Sequence, residues 1–190
     1  MPVTPWKILT VASAALGAFG LVSLFSRTAS AAMLSAPRRI ALIGDSYAVG
    51  LGPELAKLLG SDFQYEGHVG ESTSAQVAAG LPAWLVSFQP DLVLVSLGVN
   101  DGCSPNSANY RAILQAVRGL GANVVWIEPP ADVYGGSTAS CQNVPAVRDV
   151  IESLGVPTLS TRTPLGGDGL HPQSYSPWAA EIAQAIQVRT

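Results

Sequence analysis

The chain has two histidines, and one of them, His171, stands three residues after Asp168 in the segment Gly166-Gly167-Asp168-Gly169-Leu170-His171-Pro172. Gly169 eases a tight turn between them, so one short loop can deliver a carboxylate and an imidazole to the same place. A base oriented in that way activates a hydroxyl or thiol nucleophile. The best-placed hydroxyl is Ser46, in Gly44-Asp45-Ser46-Tyr47, directly after an apolar run and before a helical stretch. A helix starting there aims backbone N–H groups and the positive end of its dipole at the reacting centre. The unshielded N–H of Gly70 and the side-chain amide of Asn100 add donors suited to a developing oxyanion. Together these residues have the parts for acyl transfer. Each also has a structural reading: Ser46 as a helix N-cap, Asp168 as a turn former and Asn100 as an Asx turn, Gly70 as a backbone conformation closed to other residues. Asp45 and Asp101 read as loop-bracing acceptors and His68 as structural or rim-lining. Neither Glu71 nor Glu128 is assigned a role.

Five short β-branched runs alternate with Ala-rich stretches and would position these groups. Strands are predicted at 39–43, 63–69, 91–97, 123–127 and 156–160, with 53–59 as part of the helix after the first strand and further helices around 74–88, 106–118, 144–154 and 175–188. Pro82 should break or kink the second of these helices. The run Leu92-Val93-Leu94-Val95 is apolar throughout, as in a strand covered on both faces. The alternation predicts a three-layer α/β/α sandwich around a five-stranded parallel sheet. Ligands of such sheets bind beyond the carboxyl ends of the strands. The clusters at 44–47, 68–72, 98–102 and 166–172 all follow strands, so they should converge on one rim.

Composition narrows the function classes. Ten basic against thirteen acidic residues, with no Lys/Arg cluster beyond Arg38-Arg39, leave no electrostatic footprint for nucleic acid. The 48% hydrophobic content excludes intrinsic disorder. Only 12% of residues are charged, against about 25% in a typical soluble domain. Part of this apolar bias is a leader: after Lys7, residues 8–25 carry no charge, Arg27 follows, and Ala29 and Ala31 fit an A-x-A cleavage site. Residues 1–31 therefore read as a signal peptide or, since 18 apolar residues reach the lower limit for a span, as an N-terminal membrane anchor. A short linker at 32–37 and one domain at 38–190 follow. The expected location is exported, periplasmic or secreted, or membrane-anchored and facing outside. Without residues 1–31 the chain has 159 residues and a formal charge of −5.

Four blocks now stand in order: Gly44-Asp45-Ser46, Gly70, Gly98-Val99-Asn100-Asp101 and Asp168-Gly169-Leu170-His171. This set resembles the SGNH hydrolases, the GDSL esterase/lipase superfamily, over residues 38–188. The Gly-x-Ser-x-Gly elbow of α/β-hydrolases fails at Ala48. The resemblance implies a flavodoxin-like strand order 2-1-3-4-5, with Ser46 as nucleophile, His171 as base and Asp168 as its partner. It also implies an oxyanion hole made by the Ser46 and Gly70 N–H groups and the Asn100 amide. In the implied order strands three and four are adjacent, and Cys103 and Cys141 follow them in loops on the same rim, so a disulfide between the two is expected in an oxidising compartment.

The expected activity is hydrolysis of carboxylic esters, with short acyl groups on carbohydrate or cell-wall glycan favoured because 159 residues leave few insertions for a deep acyl channel. The alternatives are a lysophospholipase or acyl-thioesterase acting on longer chains, and a catalytically idle exported glycan-binding domain. Trp84, Trp126, Trp178 and Tyr134 are candidates to line a sugar or lipid site, though most read better as core. The chemistry needs no metal or organic cofactor. The expected partner is a small ester or acylated glycan, with no nucleic acid, a membrane tether only if the leader is retained, and a monomeric state.

Overall fold

A computed structural model describes residues 39–130, 144–161 and 163–188. The leader and linker, Tyr134 and Cys141 lie outside the described residues. Within them a five-stranded parallel sheet has the order β2-β1-β3-β4-β5. Its strands are β1 Ile40–Gly44, β2 Phe63–Gly67, β3 Leu92–Ser96, β4 Asn123–Ile127 and β5 Thr158–Leu159. The helices are α1 Ser46–Leu59, α2 Thr73–Ala79, α3 Trp84–Phe88, α4 Ser107–Gly119, α5 Val144–Ser153 and α6 Tyr175–Val188. The predicted sandwich and strand order are therefore the ones found.

Strand side chains alternate between two cores, as a period of two requires. Ile40, Leu42, Leu92, Leu94, Val125 and Ile127 face a cluster completed by Leu51 and Leu55 of α1 and by Trp178 and Ile182 of α6. Ala41, Ile43, Val93, Val95, Val124 and Trp126 face the other, completed by Leu85, by Tyr110, Ile113 and Val117 of α4, and by Val147 and Ile151 of α5. Fully burying one such aliphatic side chain contributes about 1.5–3 kcal/mol. Strands β1 and β3 are buried at every position, which is why they read as unbroken apolar runs. Trp126 and Trp178 are core residues without solvent exposure, and Trp84 is partly buried.

The elements differ from expectation mainly at their ends. Strand β2 stops at Gly67 rather than Val69, because His68 to Glu71 turn back on themselves through a Glu71 N–H to His68 carbonyl bond of 3.1 Å. Strand β5 is only two residues long. The stretch 74–88 is two helices, α2 ending at Gly80 (φ +79°) and α3 starting past Pro82. In contrast, α1 runs through Pro53 from Ser46 onward; the packing of Leu51 and Leu55 in the core offsets the backbone hydrogen bond that proline removes.

Candidate active site

The rim is set by the register of the three central strands. Gly44 pairs with Gly67 on one side and with Ser96 on the other. Ser46, Gly70 and Asn100 thus lie two, three and four residues beyond the last paired positions of β1, β2 and β3. Backbone bonds continue past the sheet, from Asp45 N–H to the Ser96 carbonyl and from His68 N–H to the Gly44 carbonyl, both 2.9 Å. Gly44 is required here by close approach: a Cβ on it would stand 2.1 Å from the Ser96 carbonyl oxygen.

At the start of α1, Asp45 is the N-cap and its Oδ1 accepts the Tyr47 N–H at 2.9 Å. Ser46 is the first helical residue, so its hydroxyl is not used for capping and its own N–H belongs to the unpaired first turn. The Ser46 Oγ lies 2.9 Å from His171 Nε2, and His171 Nδ1 lies 2.7 Å from Asp168 Oδ2. The other Asp168 oxygen accepts the N–H groups of Leu170 and His171, at 3.0 and 2.9 Å. The hydrogen bonds from the His171 ring and from these two backbone groups hold the Asp168 carboxyl down at about 2. It is ionised at any ordinary pH, with a side chain 54% exposed beside a His171 side chain 32% exposed.

The donor side is built from two loops. Gly70 occupies the third position of the His68–Glu71 turn with φ +79°, a left-handed conformation that favours glycine. Asn100 Nδ2 donates to the Glu71 carbonyl at 3.1 Å and has a longer contact, 3.4 Å, with Asp45 Oδ2. Asp101 braces both loops by accepting the Thr73 N–H and hydroxyl, each at 2.7 Å, at the first turn of α2. Asp45 and Asp101 are thus both loop-bracing acceptors, as expected.

A family model described as "GDSL-like Lipase/Acylhydrolase family" matches residues 42–180. The chain belongs to that family. An arylesterase of Vibrio mimicus is 28% identical over 198 residues, which takes in 87% of this chain and 96% of that protein. Among solved structures, the psychrotrophic esterase EstA of a Pseudoalteromonas species superposes with a TM-score of 0.60 at 19% identity, over 80% of this chain and 97% of that one. A carbohydrate esterase family 3 protein of Talaromyces cellulolyticus gives 0.55 at 21%, again over 80% and 97%.

This GDSL-like acylhydrolase is accordingly an ester-bond hydrolase on the fold expected from the four blocks. The Ser46, His171 and Asp168 side chains form one hydrogen-bonded chain, while Gly70 and Asn100 stand on the two neighbouring loops. His68 is exposed and lies 3.1 Å from Glu66, whose other oxygen accepts the Trp84 indole N–H at 2.7 Å. Glu128 is nearly buried beside Arg148, 3.7 Å away. Cys141, the partner expected for Cys103, and Tyr134 lie outside the described residues.

Two properties at the acylhydrolase site, the titration of Asp45 and the reach of Tyr47, were not read from its sequence. Asp45 has no solvent exposure, and burial, reinforced by the Asp101 charge and opposed by the Tyr47 N–H, pushes its carboxyl up to about 8. Tyr47 reaches across to the Asp168–His171 loop, its hydroxyl donating to the Leu170 carbonyl at 2.9 Å. The first was legible only as an acid between an apolar strand and a helix, and the second only as a tyrosine on an apolar helix face.

Proposed function

We propose that this chain hydrolyses esters of short acyl groups, acetyl above all, on carbohydrate or cell-wall glycan, with Ser46 as nucleophile, His171 as general base and Asp168 as its orienting acid. The observation that carries the reading is the unbroken chain from Asp168 Oδ2 through His171 to Ser46 Oγ, 2.7 and 2.9 Å. Asp168, ionised throughout, holds the tautomer with a proton on Nδ1 and leaves Nε2 to take the Ser46 proton as Oγ attacks the ester carbonyl. The tetrahedral oxyanion is received by the Ser46 and Gly70 N–H groups and by the Asn100 amide, which exchanges its longer 3.4 Å contact with Asp45 for the oxyanion. His171 then protonates the leaving alcohol, and water releases the acyl group from Ser46 by the reverse sequence.

Short acyl groups are supported by the openness of the pair, with Gly70 and Asp168 both exposed. Carbohydrate as the alcohol side is supported by the similarity to a carbohydrate esterase, and ester hydrolysis by that to an arylesterase. The apolar leader supports an exported protein, or one tethered through residues 8–25, and export supports a Cys103–Cys141 disulfide. The substrate and the nucleophile are tested together with p-nitrophenyl esters from acetate to palmitate and with acetylated glycans. The expected profile peaks at acetate, releases acetate from the glycan and vanishes in Ser46→Ala. A peak at long chains would replace the substrate, and turnover retained in Ser46→Ala would overturn the mechanism.

A further inference from the structure

The loop that carries Asp168 and His171 is largely closed on itself. The Gly166 N–H donates to the His171 carbonyl at 2.7 Å, Gly169 to Gly166 at 3.1 Å and Gln173 to Pro164 at 3.0 Å, and Leu165 and Pro172 form an isolated antiparallel bridge. Such a hairpin fixes Asp168 relative to His171, and Leu165 and Leu170 seat it against the core, but these apolar contacts are not directional and do not by themselves set the imidazole over Ser46. Among the described residues, its polar attachments to α1 are the His171 contact with Ser46 and the bond from the Tyr47 hydroxyl to the Leu170 carbonyl.

Tyr47 is suited to be the fixed end of that bond. It is 2% exposed, and its ring meets the Trp178 ring edge-on at 5.4 Å between centroids. The same ring lies edge-on to the His171 imidazole at 5.8 Å. Its N–H is held by Asp45, so its backbone is tied into the same turn that presents Ser46. Burial raises the phenol well above its ordinary range, which keeps it a protonated donor.

We infer that Tyr47 is a positioning residue for the hydrolysis: from the residue next to the nucleophile, its hydroxyl holds the Leu170 carbonyl and its ring backs His171, setting the imidazole over Ser46. The inference rests on the proposed Ser46–His171–Asp168 mechanism. Without this tether the hairpin keeps its Asp–His pair and the packing of Leu165 and Leu170 on the core, but His171 loses a directional hold over Oγ, and the loss is one of orientation.

The test compares the wild type with Tyr47→Phe, which keeps the ring and removes only the hydroxyl. Steady-state p-nitrophenyl acetate kinetics are measured across pH, with the rate of Ser46 labelling by a fluorophosphonate probe and the thermal midpoint alongside. The expected result is a fall of about 10-fold in kcat and in the labelling rate at unchanged KM. The acid limb of the kcat/KM profile should stay in place, because the Asp168–His171 contact lies within the loop. A merely structural tyrosine would lower the thermal midpoint and leave kcat per titrated active site unchanged. Retention of kcat and labelling rate within threefold overturns the inference while wild-type turnover still supports the triad. A wild type that neither turns over esters nor labels at Ser46 overturns the mechanism itself, and this inference with it.

Discussion

The two parts of the site are held in opposite ways. The β1–α1 junction is wired into the interior: Asp45 and Tyr47 are buried, Gly44 packs against the β3 backbone, and Asp101 ties the neighbouring loops together. The segment from Pro164 to Gln173 is a surface hairpin with an exposed acid, its backbone hydrogen bonds mainly internal and its seat on the core made by Leu165 and Leu170. The position of Ser46, the proposed nucleophile, is therefore a property of the core, whereas His171, the proposed base, is carried on a loop whose acid is exposed and whose backbone hydrogen bonds are mainly internal. Substitutions on the two sides should separate catalysis from stability differently.

The largest effects come from the reacting groups and put that contrast to its first test. Ser46→Ala should abolish p-nitrophenyl acetate turnover and fluorophosphonate labelling with an unchanged thermal midpoint, since the hydroxyl caps nothing. On the hairpin side, Asp168→Asn should lower kcat by roughly 10³–10⁴ through loss of the correct imidazole tautomer. Its thermal midpoint should barely move, because the replaced group is more than half exposed. A marked loss of stability in Asp168→Asn would show that the hairpin is not the separable module its hydrogen bonds describe.

Next in size is the donor side. Asn100→Ala should cost roughly 10²–10³ in kcat if the amide serves the oxyanion, read with little change in KM. Because the same amide bonds the Glu71 carbonyl, this variant should also lose some thermal stability, unlike Asp168→Asn. Equal kcat in mutant and wild type would return Asn100 to a loop-bracing role.

How much of this was legible beforehand follows from sequence distance. The sheet could be read because β1 and β3 are buried on both faces and so appear as plain apolar runs. The candidate site residues could be gathered because each follows a strand and the rim rule brings them together. Less visible were contacts whose partners are far apart and carry no local signature. Tyr47 and Leu170 are 123 residues apart and meet through a backbone carbonyl. Thr73 and Asp101 are 28 apart and join two loops whose relative placement depends on the sheet. The true end of β2 was hidden because Val69 looks like a strand residue, yet it sits 79% exposed in the turn that presents Gly70. Pro53 marked no helix boundary because packing of α1 against the sheet outweighs a local preference.

The last contrast is in pH-dependent stability, where the two regions differ in sign. Asp45 has a folded-state pKa raised from 3.8 to about 8 by burial. Between those values the folded chain keeps a proton that the unfolded chain releases, so stability from this group is fully present below about pH 4 and is lost as pH rises toward 8. Asp168 is lowered to about 2; its contribution, small because the group is exposed, is present above about pH 4 and is lost as pH falls through about 2. Asp45→Asn keeps an oxygen for the Tyr47 N–H and removes the titration. The thermal midpoint of this variant should therefore fall less steeply than that of the wild type between pH 4.5 and 8. Asp168→Asn should leave that slope unchanged and flatten only the acid arm below pH 4. Parallel midpoint curves for Asp45→Asn and the wild type over pH 4.5–8 would mean that Asp45 is ionised in the folded protein. The interior junction would then be holding a buried charge, and the 3.4 Å contact with Asn100 would have to be counted as a charge-assisted bond that restrains the oxyanion donor.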